Sequence, residues 1–289
     1  EITRRKPGDP GDDMAAFRRD VAAFIVAKTA PATPAAPATP ALDQNPVKPA
    51  FPTLARVATF NCGGWGRTSM TAKQIDRIVG VLLKLNCSIY ALTECPEWLR
   101  DHLRGACECP AIAHRWMPGG PTRWLVRVRG SQAILRDCRK WVGGRFDSDE
   151  FGPTSYHGWL FEVETNPVTK ARLVVGCYHL PPNVVATQDF QRDALQTFLA
   201  KLPAGPRLVG GDGADDTGWF TGWVDARTEA KASPDRTAKT YKGKSISDRI
   251  HGRGITFRKY TVLPSGDPLG APDHEPVLAQ ITIPAIPTN

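Results

Sequence analysis

The sequence predicts an α+β chain in which a layered α/β domain is built on two sheets. Two observations carry that prediction. Apolar runs of strand length are interleaved with helix-length segments, and they are joined both by tight turns and by helical crossovers. The composition also supports a large core, since 41% of the 289 residues are hydrophobic and eight Trp and eleven Phe are among them,.

The elements follow in order. "DDMAAFRRDVAAFIVAK" places Met14, Phe17, Val21, Ala22 and Phe24 at helical spacing, which predicts one amphipathic helix within residues 1–27. Lys28 to Pro52 is rich in Pro and Ala and nearly free of large apolar residues, so 28–52 reads as an extended linker. The remaining 53–289 form the main domain. "ARVATFN" (55–61) is a strand, and the next segment sets Ile75, Ile78, Val79, Leu82 and Leu83 on one helical face,. "SIYALTE" (88–94) is a second buried strand, and after a helix come "TRWLVRVRG" and "SQAILR". "HGWLFEVET" and "ARLVVGCYHL" pair across the turn "NPVTK",. A helix around "QDFQRDALQTFLAKL" leads into the strand "RLVGGD", and "GITFRKYTVL" and "PVLAQITI" close the chain.

The net charge of +8 and a pI near 9.2 favour an anionic partner,. The charge is concentrated in two segments. Arg115 to Arg145 holds eight Lys/Arg against Asp137, interleaved with Trp116, Trp124, Trp141 and Phe146. Arg227 to Lys259 holds ten basic residues against Glu229, Asp235 and Asp248. Cations neutralise phosphates and aromatic rings stack on bases, so both segments are candidates to track a nucleic-acid backbone; the competing reading is core aromatics under a solvated charged face. Seven cysteines at these spacings suit neither a disulfide framework nor a zinc site, although Cys107 and Cys109 form a C-x-C,. Reduced, cytosolic-type thiols are expected. No signal peptide or transmembrane-length run is visible, and a monomer is expected.

Several strands end in polar residues that a plain core strand does not need. These are Asn61, Glu94, His179 and Asp212, together with Asp248 between Ile246 and Ile250, and Asp273-His274 before the last strand. Each alone has a bland reading as a turn residue, a cap or a satisfied interior histidine. Glu94 directly after "IYALT" is harder to place without a cation or a hydrogen-bond partner. As a set, three Asp, one Glu, two His and one Asn are the makings of a metal-binding, acid–base pocket.

In order, "TFNCGG", "ALTEC", "GSQAILR", "GCYHLPP", "LVGGDGADD", "SISDRI" and "PDHEPV" resemble the motifs of the endonuclease/exonuclease/phosphatase superfamily. The resemblance runs from Arg56 to about Ile283, with 33 residues from Asn61 to Glu94, 33 from His179 to Asp212 and 25 from Asp248 to Asp273. It implies a four-layer α/β/β/α sandwich with the site at one end of the sheets. It also implies a metal-dependent phosphodiesterase using Mg²⁺ or Mn²⁺, held by Glu94 with Asn61 and Asp273. Asp212 would handle the attacking water, His274 paired with Asp248 would act at the phosphate, and His179 would be the second imidazole on it. Arg123, Arg127, Lys242, Lys244 and Arg249 join His179 as candidate substrate contacts. One departure stands out: the family's G-D-x-N is Gly211-Asp212-Gly213-Ala214 here, and Ala214 offers no side-chain hydrogen bond,.

The substrate class expected first is nucleic acid, DNA ahead of RNA. Phosphoinositides or other small phosphate esters come second, and a binding domain with weakened catalysis third. A second, shorter resemblance concerns "RRKPGDPGDDMAAFRRDVAAF", which looks like the closing stretch of zinc-dependent N-acetylmuramoyl-alanine amidase domains of phage and bacterial lysins. It would make Asp9 an orphaned zinc ligand and the chain the C-terminal part of a phage-type fusion acting in a bacterial host.

Overall fold

The computed structural model describes residues 52–64, 71–95, 124–144, 158–180, 185–213, 220–230, 238–241, 245–263 and 274–285. All of them belong to the second of the two units into which the chain divides, Lys48–Asn289. The predicted N-terminal helix and linker, Asp9, Arg123, Lys242, Lys244, Asp273 and Ala214 lie outside the described residues.

Two mixed sheets pack face to face. The first contains β1 (Thr53–Asn61), β2 (Ile89–Thr93), β3 (Trp124–Arg129), β4 (Gln132–Asp137), β11 (Thr256–Val262) and β12 (Val277–Ile283), in the order β11-β12-β1-β2-β4-β3. The second contains β5 (Val142–Gly144), β6 (Gly158–Thr165), β7 (Arg172–His179), β8 (Arg207–Asp212), β9 (Val224–Asp225) and β10 (Asp248–Arg253), in the order β5-β6-β7-β8-β10-β9. Each sheet has one parallel pair, β1 with β2 and β7 with β8, and these need crossovers,. Helices α1 (Ala72–Leu85) and α2 (Val185–Lys201) supply them, and a short α3 (Ala226–Glu229) follows β9.

Strand alternation sorts the side chains into three cores. Ala55, Val57, Ile89, Ala91 and Ile134 of the first sheet meet Leu160, Leu173, Val175, Cys177 and Ile250 of the second. The other face of the first sheet, with Ala58, Phe60, Tyr90 and Leu135, packs on α1 through Ile75, Ile78, Val79 and Leu82. The other face of the second sheet, with Trp159, Phe161, Val174 and Val209, packs on α2 through Leu195, Phe198 and Leu199. Helix, sheet, sheet, helix is the four-layer sandwich.

Local chemistry sets the element ends. Helix α1 starts at a reciprocal capping box, in which Thr71 Oγ1 accepts from Gln74 N and Gln74 Oε1 accepts from Thr71 N,. Leu83 departs from the expected face: it is 44% exposed, and Leu85 is buried in the core instead. The β6–β7 turn forms on Asn166, whose Oδ1 accepts from the amides of Val168 and Thr169,. Between β10 and β11 the chain passes from one sheet to the other through Gly254, at φ 68°, a conformation that favours glycine,.

Among the described residues, several members of the basic, aromatic segments are used inside the fold. Trp124 and Trp141 are core residues, and Trp141 Nε1 donates to Ser88 Oγ at 3.0 Å, so neither is free to stack on a base. Arg136 pairs with buried Glu164 at 2.9 Å, and Arg139 grips Asp137 through Nε and Nη2. Trp116 and Phe146 lie outside the described residues. Among the described residues no helix is long and apolar enough to cross a membrane, and Cys62, Cys87, Cys95, Cys138 and Cys177 are free thiols.

Candidate functional site

Strand direction brings the polar strand ends together. Parallel β1 and β2 finish side by side, Asn61 opposite Thr93, so Asn61 and Glu94 reach the same edge. Parallel β7 and β8 finish with His179 opposite Asp212, and antiparallel β10 starts there, Asp248 opposite Asp212. His274 lies just before β12, whose Val277 pairs with Thr59 near the end of β1. Six of the residues expected from sequence therefore meet at one end of the two sheets.

The contacts are direct. Asn61 Nδ2 donates to Glu94 Oε1 at 3.2 Å and to Asp212 Oδ2 at 3.0 Å, while its Oδ1 accepts from Gly63 N at 2.9 Å. Asn61 thus sits beside Glu94, as expected of a residue next to the metal site. Its oxygen takes one backbone hydrogen bond and keeps a second lone pair, and its amide nitrogen, a donor, holds two carboxylates in register,. Asp212 Oδ2 also lies 3.7 Å from His179 Nε2 and 3.5 Å from His274 Nε2. His274 Nδ1 donates to Asp248 Oδ2 at 2.7 Å, and Ser247 Oγ donates to the same oxygen at 3.2 Å.

The backbone is fitted to this mouth. Glu94 sits at φ 49°, left-handed for a residue with a Cβ, a conformation that costs of order 1–3 kcal/mol and collects at functional sites. Its neighbours clamp it: Glu94 O accepts from Gly64 N, and Cys95 N donates to Ser131 O. The turn directs the carboxylate out of the strand end, where its side chain is 18% exposed, against 10% for Asp212 and 0% for Asp248. Glu94 is the member of the set open to an incoming ion.

Electrostatics favour a cation here. Burial, followed by the Asp248 carboxylate, pushes the Asp212 carboxyl above its ordinary range, against His274, His179 and the Asn61 amide,. Ligand atoms of Asp212, Asp248 and His274 lie within 4.8 Å of one another, and Glu94 Oε1 faces them through the Asn61 amide. This oxygen-rich donor set fits a hard divalent cation.

Other expected contacts are placed differently. Arg249 is buried, donates to Asp225 Oδ2 at 3.1 Å, and follows Asp248 on a strand where Ile250 faces the inter-sheet core. Its side chain points to the opposite face from Asp248, which removes it from the candidate substrate contacts. Arg127 lies within β3, a sheet edge. Sequence reasoning missed the residues behind the site. Ser131 Oγ lies 3.4 Å from His179 Nδ1 and accepts from Gln132 Nε2 at 2.8 Å. Thr240 Oγ1 accepts from the amides of Ser247 and Asp248, and the Tyr241 ring packs on His274 at 4.8 Å between centroids. The signal for Ser131-Gln132 was present: two polar residues opening the apolar run "SQAILR".

No protein-family model matches the sequence, and no curated protein does. Solved structures match along nearly their whole length. An endonuclease/exonuclease/phosphatase family protein from Bacteroides thetaiotaomicron is 14% identical with a TM-score of 0.59, over 81% of this chain and 96% of its own. The chain has the endonuclease/exonuclease/phosphatase fold. D. rerio TDP2, solved with a single-strand DNA product, shares that fold at 12% identity and a TM-score of 0.61, over 79% of this chain and 99% of its own. So does a mannosyl-6-phosphatase from Bacteroides thetaiotaomicron, at 13% identity and 0.59, over 78% and 99%. At these identities the likeness concerns the fold alone.

Proposed function

We propose that this protein is a divalent-metal-dependent phosphoester hydrolase, and that its substrate is a nucleic-acid phosphodiester, DNA ahead of RNA. The observation that carries the reading is the meeting of Glu94, Asp212, Asp248, His179 and His274 at one end of both sheets, joined through Asn61. Glu94 would hold the ion, Mg²⁺ or Mn²⁺, with Asp273 as a further candidate ligand. A bound divalent cation supplies charge neutralisation at the phosphate and polarises its P–O bonds. Asp212, raised by burial, is suited to orient the attacking water and take its proton. His274, held by Asp248, serves proton exchange at the phosphate, and His179 donates to a non-bridging oxygen.

The superfamily resemblance and the neighbour with a DNA product support nucleic acid. A second reading, small phosphate esters, is favoured by the use of Arg136 and Arg249 inside the fold and by the neighbouring phosphatase. Cleavage of supercoiled plasmid with Mg²⁺ or Mn²⁺, against EDTA, tests the first reading. Metal-dependent nicking is expected, and it is expected to be lost in His274→Ala and Glu94→Ala. No cleavage by folded wild-type protein, with release of phosphate from sugar phosphates, would establish the second instead.

A further inference from the structure

The His274–Asp248 pair joins two segments 26 residues apart in sequence, and a residue outside the pair is bonded to both segments. That residue is Thr240, which is fully buried. Its Oγ1 accepts from Ser247 N at 2.9 Å and from Asp248 N at 3.0 Å, which uses both lone pairs of the hydroxyl oxygen,. Its backbone oxygen accepts from Glu275 N at 2.5 Å, and its backbone N donates to Ser245 O at 2.9 Å.

Both members of the pair stand where strand pairing stops. Asp248 is the first residue of β10, and β9 pairs with β10 only at His251 and Gly252. His274 precedes β12, which begins at Val277. The two sheet ladders therefore leave the meeting of Asp248 Oδ2 with His274 Nδ1, at 2.7 Å, to be set by other bonds. Residues 240 and 241 supply them. Tyr241 forms an antiparallel bridge with His274 and packs its ring on the imidazole at 4.8 Å between centroids. Thr240 takes the amide of Asp248 on one side and the amide of Glu275 on the other.

We propose that Thr240 is a positioning residue. It holds the Asp248 backbone through its hydroxyl and the Glu275 backbone through its carbonyl, and so fixes the approach of His274 to Asp248. Its consequence rests on the phosphoester-hydrolase reading, in which His274 serves the phosphate. The hydroxyl is the part that a substitution can remove. Thr240→Val keeps the shape and the carbonyl but takes the acceptor from two buried amides, whereas Thr240→Ser keeps the oxygen.

The test uses the full chain as wild type, Thr240→Val and Thr240→Ser. Thr240→Cys, whose sulfur is a weak acceptor, replaces the Val variant if that variant does not fold. Hydrogen exchange at the Ser247 and Asp248 amides reads the contact without any substrate. It is expected to be about 10-fold faster or more in Thr240→Val and close to wild type in Thr240→Ser. With Mg²⁺ and bis(p-nitrophenyl) phosphate, Thr240→Val is expected to lower kcat about 10–100-fold, with KM within about twofold, and Thr240→Ser to restore it. In an Asp248→Asn background the same Val substitution is expected to cost less than about threefold, because Thr240 acts through Asp248. Equal losses in the two backgrounds, a wild-type kcat in folded Thr240→Val, or unchanged exchange at both amides would overturn the proposal. Faster exchange in Thr240→Val, in a protein whose wild type hydrolyses no phosphoester, would uphold Thr240 as the anchor of the pair and overturn the functional reading alone.

Discussion

Asp248→Asn isolates the carboxylate behind His274 with little change of shape. Asp248 is fully buried and accepts at Oδ2 from His274 Nδ1 at 2.7 Å and from Ser247 Oγ at 3.2 Å, while its Oδ1 has no hydrogen-bond partner among the described residues. A hydrogen bond to a charged group contributes about 1.5–3 kcal/mol net, against about 0.5–1.5 for a neutral one. Removing the charge therefore takes about 1–2 kcal/mol of support from the imidazole. If the new amide keeps its oxygen toward His274, its NH₂ occupies the unpartnered Oδ1 position, at a cost of about 1–3 kcal/mol in stability. If it turns, it donates to Nδ1 and reverses the ring. The first case lowers kcat about 5–30-fold, and a reversed tautomer at a catalytic imidazole costs up to about 10⁴-fold. The assay is kcat and KM for bis(p-nitrophenyl) phosphate with Mg²⁺, beside thermal unfolding. A kcat within about threefold of wild type, in a folded variant, would refute the assignment of Asp248 to His274.

Two further outcomes follow from packing and burial. A Cβ at Gly211 would come 1.9 Å from the backbone oxygen of Tyr178, its partner on β7, so Gly211→Ala must part the strands that carry His179 and Asp212. It is expected to cost about 1–3 kcal/mol and to lower kcat along with the unfolding midpoint; a wild-type midpoint with full activity would refute the contact. Burial raises the Glu164 carboxyl from 4.5 to about 8, and the Arg136 guanidinium beside it only partly opposes the shift. The fold thus keeps a proton that the unfolded chain releases above its own pKa, so this contribution is complete below about pH 4.5 and is lost as pH rises through about 8,. The unfolding midpoint of the wild type relative to Glu164→Gln should fall between pH 5 and 9, and parallel curves would show that Glu164 does not titrate there.

The strands of the sandwich were legible because their apolar runs are long, and the site was legible because its polar residues stop those runs. Asn61, His179 and Asp212 each end a strand and Glu94 directly follows one, and a carboxylate or imidazole there stands out against what precedes it. Strand β10 was not legible. Its residues DRIHGR look like loop, because its outward side chains are held by partners distant in sequence: Arg249 pairs with Asp225, and His251 packs on the Phe220 ring at 4.2 Å between centroids.

The same cause explains the misplaced cations. A basic residue counts toward a nucleic-acid surface only if it reaches solvent, and the sequence does not say which side of a strand it leaves from until the strand itself is known. Asp248 and Arg249 show the consequence. They are adjacent, and both looked like site residues, yet alternation sends Asp248 to His274 and Arg249 to Asp225,. Ser131 and Gln132 are the reverse case, polar residues that open an apolar run in the sequence and lie buried behind His179. What fixes a side chain as part of this site is therefore the face of the strand it leaves from, as much as its own chemistry. Among the described residues, Asn61, His179, Asp212 and Asp248 meet at the mouth because strand alternation points them between the two sheets, while Glu94 and His274 join them from the turns beside strand ends,.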